Sequence, residues 1–339
     1  MAGRAFVTGA SGFLGRSIVE ELVVTGRPVR ALARSDSSAQ RLIALGAEPV
    51  RGDLRDRSSL EAGFAGCETV FHVAGANAFC VPDPRPMFEV NVAGSRTVVQ
   101  AAAAAGVSRV VYTSSAATLD VDPPSGRPGR RFLSDYARSK FEAERVVMEA
   151  STTTGLTVIC VNPASVQGPG RTSGTARLLI GYLNGKLPAA VDGPLNVIDI
   201  ADCTRGHLLA EERGVAGPRY LLCGASMTLR TGLALLSSLT GLADPPRFLP
   251  ARLALGASAC IEVIARIRRK PTRYCREMVR TLVEGAPYDG APAAKALGLV
   301  YTPIEDTMRR TISWYLAQGL ITRPLPGFTD SASDRAATA

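Results

Sequence analysis

The stretch Ala5-Phe6-Val7-Thr8-Gly9-Ala10-Ser11-Gly12-Phe13-Leu14-Gly15 decides how this chain is read. Ala5 to Val7 is an apolar run with the length of a buried strand. A glycine-rich turn follows it directly. Beyond the turn Leu14, Ile18, Val19, Leu22 and Val23 recur at helical spacing. The glycines stand at Gly9, Gly12 and Gly15, the spacing of a strand–turn–helix that holds a pyrophosphate. One glycine permits the tight turn, one lets backbone approach the phosphates, and one lets helix and strand pack closely. The helix start then offers unpaired N–H groups and partial positive charge to the anion. A glycine turn that binds nothing is the bland alternative, and the strand before and helix after weigh against it.

At 339 residues the chain can bury a sizeable core and exceeds the ~250–300 residues at which single cores stop growing. One large domain with a smaller lobe is expected. Hydrophobic residues make up 46% and charged residues 20%, which suits a globular protein. No run of about 18 apolar residues is present, so no spanning segment is expected. With no basic and apolar leader before the first strand, a cytoplasmic location is expected. Seven cysteines lie scattered with no C-x-x-C pair, which predicts free thiols and no metal site; two histidines, His72 and His207, make a histidine metal centre equally unexpected. The net charge of +9 is spread along the chain except for Arg266-Ile267-Arg268-Arg269-Lys270-Pro271-Thr272-Arg273. Without interleaved aromatics that cluster reads as a solvated face or an anion-docking site, and no nucleic-acid partner is expected.

Pro28 to Ala33 reads as the second strand, ending in Arg34-Ser35. An acidic residue at this point binds the ribose 2′-hydroxyl of NAD, whereas arginine accommodates the 2′-phosphate of NADP. Ala33 stands where the acid would be, Arg34 follows, and Asp36 is expected in the loop. NADP(H) is therefore favoured over NAD, the alternative being that Arg34 is a solvated loop charge. Glu48 to Leu54 contains a short strand that would place Asp53 near the adenine amino group. Thr69 to Gly75 is another strand, and its small residues Val73, Ala74 and Gly75 suit backbone passing close to a cofactor. His72, inside an apolar strand, reads as a satisfied core histidine.

Asn91 is expected to open an alanine-rich helix, Arg109 to Thr113 to form a strand ending at Ser114-Ser115, and Leu156 to Val161 a strand closed by Asn162-Pro163-Ala164-Ser165-Val166. Strands and helices thus alternate over residues 1–165, which predicts an α/β fold with a doubly wound parallel sheet. Beyond Val166 helices predominate, at about Thr175–Leu183, Ile200–Glu212, Thr228–Leu239, Ala251–Arg268, Arg273–Glu284 and Ile304–Ala317. Residues 1–165 with about 199–223 are expected to form the dinucleotide-binding Rossmann domain. Residues of about 166–198 and 224–320 would form a smaller, mostly helical substrate lobe, and 324–339 a tail.

Tyr136 and Lys140 lie four apart on a helix and share a face. A free tyrosine has a pKa of about 10 and is a poor general acid–base at neutral pH. A lysine cation beside it favours the phenolate and lowers that value. Ser115 could hold a substrate oxygen while Tyr136 gives or takes the proton and a cofactor supplies the hydride.

With Thr8-Gly9-Ala10-Ser11-Gly12-Phe13-Leu14-Gly15, Asp53-Leu54, His72-Val73-Ala74, Asn91, Ser114-Ser115, Tyr136/Lys140 and Asn162-Pro163 in hand, the chain resembles the extended short-chain dehydrogenase/reductase family from residue 5 to about 320. Val29 to Arg34 and Tyr112 to Ala116 resemble dihydroflavonol reductases and 3β-hydroxysteroid dehydrogenases more than nucleotide-sugar epimerases. The resemblance implies that Ser115, Tyr136 and Lys140 are the catalytic set, that Lys140 also binds the nicotinamide ribose, and that Pro163, Ser165 and Val166 meet the nicotinamide end. Residues and resemblance together give candidate cofactor contacts at Gly9, Ser11, Gly12, Phe13, Leu14, Gly15, Arg34, Asp53, Leu54, Val73, Ala74, Gly75, Thr113, Tyr136, Lys140, Pro163, Ser165 and Val166, and no metal ligand. Gly75 departs from the alanine the family more often carries.

The expected function is NADP(H)-dependent reduction of a ketone or aldehyde, or oxidation of the alcohol, on a mid-sized apolar substrate. Loops around Ala76–Arg85, Leu119–Phe132 and Val166–Leu187 would build its pocket. The alternatives are an NAD-retaining nucleotide-sugar epimerase or dehydratase and an NADP(H)-sensing binding protein without catalysis. The apolar helix from Leu253 to Ile264 with its basic neighbours suits a lobe over a hydrophobic substrate, a membrane surface or a plain core helix. A homodimer is implied only by resemblance.

Overall fold

The computed structural model describes residues 3–119, 132–243, 245–268, 270, 272 and 275–329. Residues 120–131 of the stretch expected to line the pocket, the cluster residues Arg269, Pro271 and Arg273, and residues 330–339 of the expected tail lie outside them. The chain divides into two compact units. The first comprises Met1–Pro163, Cys203–Leu222 and Ala291–Leu299; the second comprises Ala164–Asp202, Cys223–Gly290 and Val300–Ala339.

The first unit is built on a seven-stranded parallel sheet. Its strands are β1 (Ala5–Thr8), β2 (Val29–Ala33), β3 (Glu48–Arg51), β4 (Thr69–His72), β5 (Arg109–Thr113), β6 (Thr157–Pro163) and the later strand Arg219–Leu222. Their spatial order is Arg219–Leu222, β6, β5, β4, β1, β2, β3. β1 is buried along its whole length because helices cover both faces, which is why it reads as an unbroken apolar run. Helices α1 (Phe13–Val24), α2 (Asp36–Ala44) and α3 (Arg57–Phe64) link the first four strands. Phe64 of α3 meets Phe6 of β1 edge to face, with ring centroids 4.7 Å apart. α4 (Arg85–Phe88) runs through a π-helical turn, Glu89–Gly94, into α5 (Ser95–Ala104), and α6 (Asp135–Thr154) precedes β6. Val98, Val99, Ala143 and Val147 of α5 and α6 share one buried cluster with Val110, Tyr112 and Val158 of the sheet. From β1 the chain winds outward to β3, then crosses back to β4, so β1 and β4 flank the point where the winding direction reverses. In sheets of this kind ligands bind there, outside the carboxyl ends of the strands.

Two local expectations change. Asp36 is not in a loop but is the first residue of α2, because Ser35 caps that helix in a reciprocal capping box with Ser38. Asn91 does not open a helix; it lies inside the π-helical turn that joins α4 to α5, where the helix is already under way.

In the second unit Pro194–Asp199 is the middle strand of a small sheet, parallel to Ser165–Gln167 and antiparallel to Ala225–Thr228. Helices Thr175–Leu183 and Ile304–Ala317 fall as the sequence predicts, and with Leu229–Thr240 they enclose Leu179, Leu183, Leu233, Leu236, Met308 and Ile312. The buried Asp199 carboxylate pairs with Arg310 at 2.7 Å. Asp202 accepts from the Thr302 amide at 2.6 Å and its hydroxyl at 2.9 Å. Cys67, Cys160, Cys203, Cys223 and Cys260 are not disulfide-bonded, but Cys80 and Cys275 each are, against the expectation of seven free thiols. The missing C-x-x-C pattern spoke only to near neighbours. Among the described residues no helix is long and apolar enough to cross a membrane, and no cluster of side chains could hold a metal ion.

Candidate functional site

The glycine turn after β1 is closed by backbone alone, Gly12 N donating to Gly9 O at 2.9 Å. Gly9 has φ +71°, and a Cβ on it would lie 2.6 Å from the amide nitrogen of Ala74. The turn after β1 and the segment after β4 therefore pass each other at a distance only glycine permits. A Cβ on Gly15 would collide with the Gly9 carbonyl, so α1 packs directly on the turn. Side chains of Ser35, Asp56 and Ser134 cap α2, α3 and α6, whereas Gly12 at the start of α1 offers no side-chain cap. This uncapped, glycine-walled helix start fits a dinucleotide pyrophosphate. Ser11 and Gly12 are exposed and Phe13 and Leu14 half-buried, at the same mouth.

Val73, Ala74 and Gly75 follow β4 at the same edge of the sheet. The Ala74 amide donates to Thr8 Oγ1 at 3.3 Å, fastening the two loops together. Asn91 holds the next peptide from both sides: Oδ1 accepts from Ala76 N at 2.7 Å and Nδ2 donates to Ala76 O at 2.9 Å. The π-helical turn gives Asn91 this inward position, a common use of such turns. A Cβ on Gly75 would sit 3.3 Å from Asn91 Oδ1 and 3.7 Å from Lys140 Nζ, so the glycine lies beside the candidate catalytic lysine.

Tyr136 stands in the first turn of α6, whose N-cap Ser134 accepts from Ala137 N at 3.0 Å. One turn on, Lys140 is buried and donates to the Thr113 carbonyl at 2.7 Å, with its ammonium 4.8 Å from the Tyr112 ring centroid. Burial lowers its pKa to about 8, the charge of Glu144 opposing that shift. Thr113 ends β5, and Ser115 two residues later caps the short turn Ala116–Thr118, its hydroxyl accepting from Ala117 N at 3.3 Å. Lys140 thus ties the helix bearing Tyr136 to the strand end bearing Ser115. The ring of Phe79 lies 6.0 Å from that of Tyr136 and gives the phenol an apolar neighbour.

A further turn along α6 is Glu144, which the sequence reading passed over. It is 2% exposed. Its carboxylate accepts from Ser114 Oγ at 2.5 Å, Asn162 Nδ2 at 2.9 Å and Thr118 Oγ1 at 3.3 Å, and from the guanidinium of Arg219. Asn162 also donates to the Ser115 carbonyl at 3.2 Å. The i, i+4, i+8 spacing of Tyr136, Lys140 and Glu144 was the available signal.

Arg34 is exposed just beyond β2, and Arg51 at the end of the neighbouring β3 pairs with Asp36 at 3.4 Å. Asp53 lies in the loop after β3, where hydrogen bonds from Arg55 lower its pKa. Leu54 is buried against Gly94. Pro163 closes β6 in the first unit. Ser165 and Val166 belong to the second unit, in strand Ser165–Gln167, where Ser165 Oγ shares a 3.1 Å hydrogen bond with Thr175 Oγ1.

Neither histidine is a proton carrier here. His72 hydrogen-bonds Thr8 Oγ1 at 2.8 Å and Ser95 Oγ at 2.9 Å, and burial lowers its pKa to about 3. His207 donates from Nδ1 to the Cys203 carbonyl at 2.7 Å, so its Nε2 accepts from Thr113 Oγ1 at 2.9 Å; burial lowers its pKa to about 4. As pH falls below the usual 6.5, the unfolded chain takes up protons that these buried rings refuse, so stability falls. Unfolding between pH 5 and 6 should therefore bind about two protons, read from the pH dependence of the melting temperature. Proton uptake near zero in that window would contradict the two buried neutral rings.

The NAD dependent epimerase/dehydratase family model matches residues 5–222, and the chain belongs to this family of extended short-chain dehydrogenases/reductases. It is an NAD(P)-binding oxidoreductase by fold and family. It is similar to "Sterol demethylase protein B" of Methylococcus capsulatus, 33% identical over 326 residues that cover 93% of this chain and 99% of that one. It is also similar to "4-hydroxy-2-methyl-3-oxo-4-farnesyl-3,4-dihydroquinoline-1-oxide ketoreductase" of Stigmatella aurantiaca, 36% identical over 266 residues, 75% of this chain and 78% of that one. Among solved structures, that of gox2253 superimposes with a TM-score of 0.80 at 30% identity, covering 94% of this chain and 99% of the other.

Proposed function

We propose that this protein is an NADP(H)-dependent reductase of a ketone or aldehyde on a mid-sized apolar molecule, with Ser115, Tyr136 and Lys140 as its catalytic set. The observation that carries the reading is the seating of Lys140, a buried ammonium on the Thr113 carbonyl that joins the Tyr136 helix to the Ser115 strand end. A bound nicotinamide dinucleotide would supply the hydride. Gly9, Gly12 and Gly15 give its pyrophosphate close backbone approach, and Val73 to Gly75 line the same edge. Ser115 holds the carbonyl oxygen, and Tyr136 Oη gives it the proton while the Lys140 cation favours the phenolate left behind. With its pKa at about 8, that cation fades as pH rises through this value, so reduction rates decline on the alkaline side.

NADP(H) is favoured by the exposed Arg34, with Arg51 on the adjoining strand as a second cation, and by an alanine where an acid would select NAD. An apolar substrate is favoured by Phe79 beside Tyr136 and by two relatives named for a sterol and for a farnesyl-bearing quinoline. The test is a titration of cofactor-stripped protein with NADPH and NADH, repeated on Arg34→Glu. NADPH should bind at least about ten-fold tighter than NADH, and Arg34→Glu should remove that margin, one charge contact to the 2′-phosphate accounting for such a ratio. Preferential NADH binding, or NAD that copurifies and resists removal, would point instead to an epimerase or dehydratase.

A further inference from the structure

Helix Ala251–Ile267 of the second unit presents an apolar face to solvent. Leu253 is 63% and Ile267 76% exposed, and Cys260, Ile261, Val263 and Ile264 are exposed between them. At about 100° per residue these six residues occupy one half of the helix. The opposite half carries the buried Ala254 and Ser258 and packs against Arg276–Glu284. The only acidic residue of the helix, Glu262, is on that inner side, where it accepts from Arg276 N at 3.3 Å. Exposed cations bound the apolar half at both ends, Arg252 at the start and Arg268 with Lys270 just past the finish.

We propose that this helix lies flat on an anionic lipid surface, its aliphatic side chains in the headgroup–acyl boundary and its terminal cations on lipid phosphates. Charge selects this occupant. A second copy packed on the same face in either direction would bring Arg252, Arg268 and Lys270 against one another, with no acidic residue on the face to pair them. An anionic bilayer meets cations at both ends and greasy residues between, which is the pattern of an interfacial helix. The chain's net charge of +9 adds long-range attraction to such a surface. At about 25 Å long and with cations at its ends, the helix is suited to lying in the interface rather than crossing it.

The test sediments the full chain with vesicles of phosphatidylcholine alone and of equal parts phosphatidylcholine and phosphatidylglycerol. It compares wild type with Leu253→Ser/Ile264→Ser/Ile267→Ser, whose changed residues are all exposed. Wild type should bind the anionic vesicles, at least about ten-fold less well when phosphatidylglycerol is omitted and less well at high salt. The triple variant should lose at least about ten-fold on anionic vesicles while its melting temperature is unchanged. Wild type that ignores anionic vesicles at low salt would overturn the proposal, as would a variant that binds them equally well. A dimer in solution that the triple variant converts to monomer, without vesicle binding, would make a second copy the occupant and overturn it too. The readout uses neither cofactor nor turnover, so it stands apart from the reductase reading.

Discussion

Tyr136→Phe should lower kcat for carbonyl reduction by about 10²- to 10⁴-fold, the range by which a positioned general acid accelerates reactions, while the cofactor dissociation constant moves less than about two-fold. The separation follows from where the hydroxyl stands. The ring lies in the first turn of α6 beside Phe79, and phenylalanine fills the same space, so the helix start, its Ser134 cap and the Lys140–Thr113 contact are kept. Only the phenolic hydroxyl is removed. Steady-state rates and a fluorescence titration of the same sample decide it. Wild-type-like turnover would remove Tyr136 from the mechanism, and joint loss of turnover and cofactor binding would make it a structural residue.

Glu144→Ala should lower stability by about 3 kcal/mol, the lower end for breaking a buried ion pair, because Arg219 is still 23% exposed and keeps some hydration. The carboxylate takes hydrogen bonds from Ser114, Thr118, Asn162 and Arg219, and an alanine removes the acceptor of the Ser114 hydroxyl and the counter-charge of Arg219, while Thr118 and Asn162 keep the Ser115 carbonyl. In a domain of this size that is a fall of roughly 6–12 °C in melting temperature. Glu144→Met with Arg219→Met should recover part of the loss, since an apolar pair carries no stranded charge. Calorimetry of both variants is the check, and a shift below about 2 °C for Glu144→Ala would show that the network bears little of the fold.

The sheet was legible because its signals are local. The Ala5–Gly15 stretch is a strand, a turn and a helix within eleven residues, and Arg109–Thr113 is both apolar and bounded, so periodicity found each. Tyr136 and Lys140 were legible because four residues on a helix put them on one face. Glu144 was not, since its partners Ser114, Asn162 and Arg219 come from three separate strand ends, and one of three glutamates in a polar-looking helix reads as solvated. The π-helical turn around Asn91 was hidden for a similar reason: its purpose is the peptide of Ala76, which only the folded chain brings near. The strands Ser165–Gln167 and Ala225–Thr228 are short, and the partner that makes them strands, Pro194–Asp199, lies far along the chain from each.

The placement of strand Arg219–Leu222 has a consequence for how the protein is made. A nascent chain that has emerged as far as Pro163 holds six strands, Tyr136 and Lys140, but lacks the arginine that balances Glu144, the histidine that receives the Thr113 hydroxyl, and Glu211, which grips Arg27 at 2.7 Å. Each of these comes from the stretch between Cys203 and Leu222, which the ribosome delivers only after the strands and helices of residues 164–202. Until then the edge of β6 stays open and a buried carboxylate lacks its counter-charge, so the site is the last part of the sheet to be secured during synthesis.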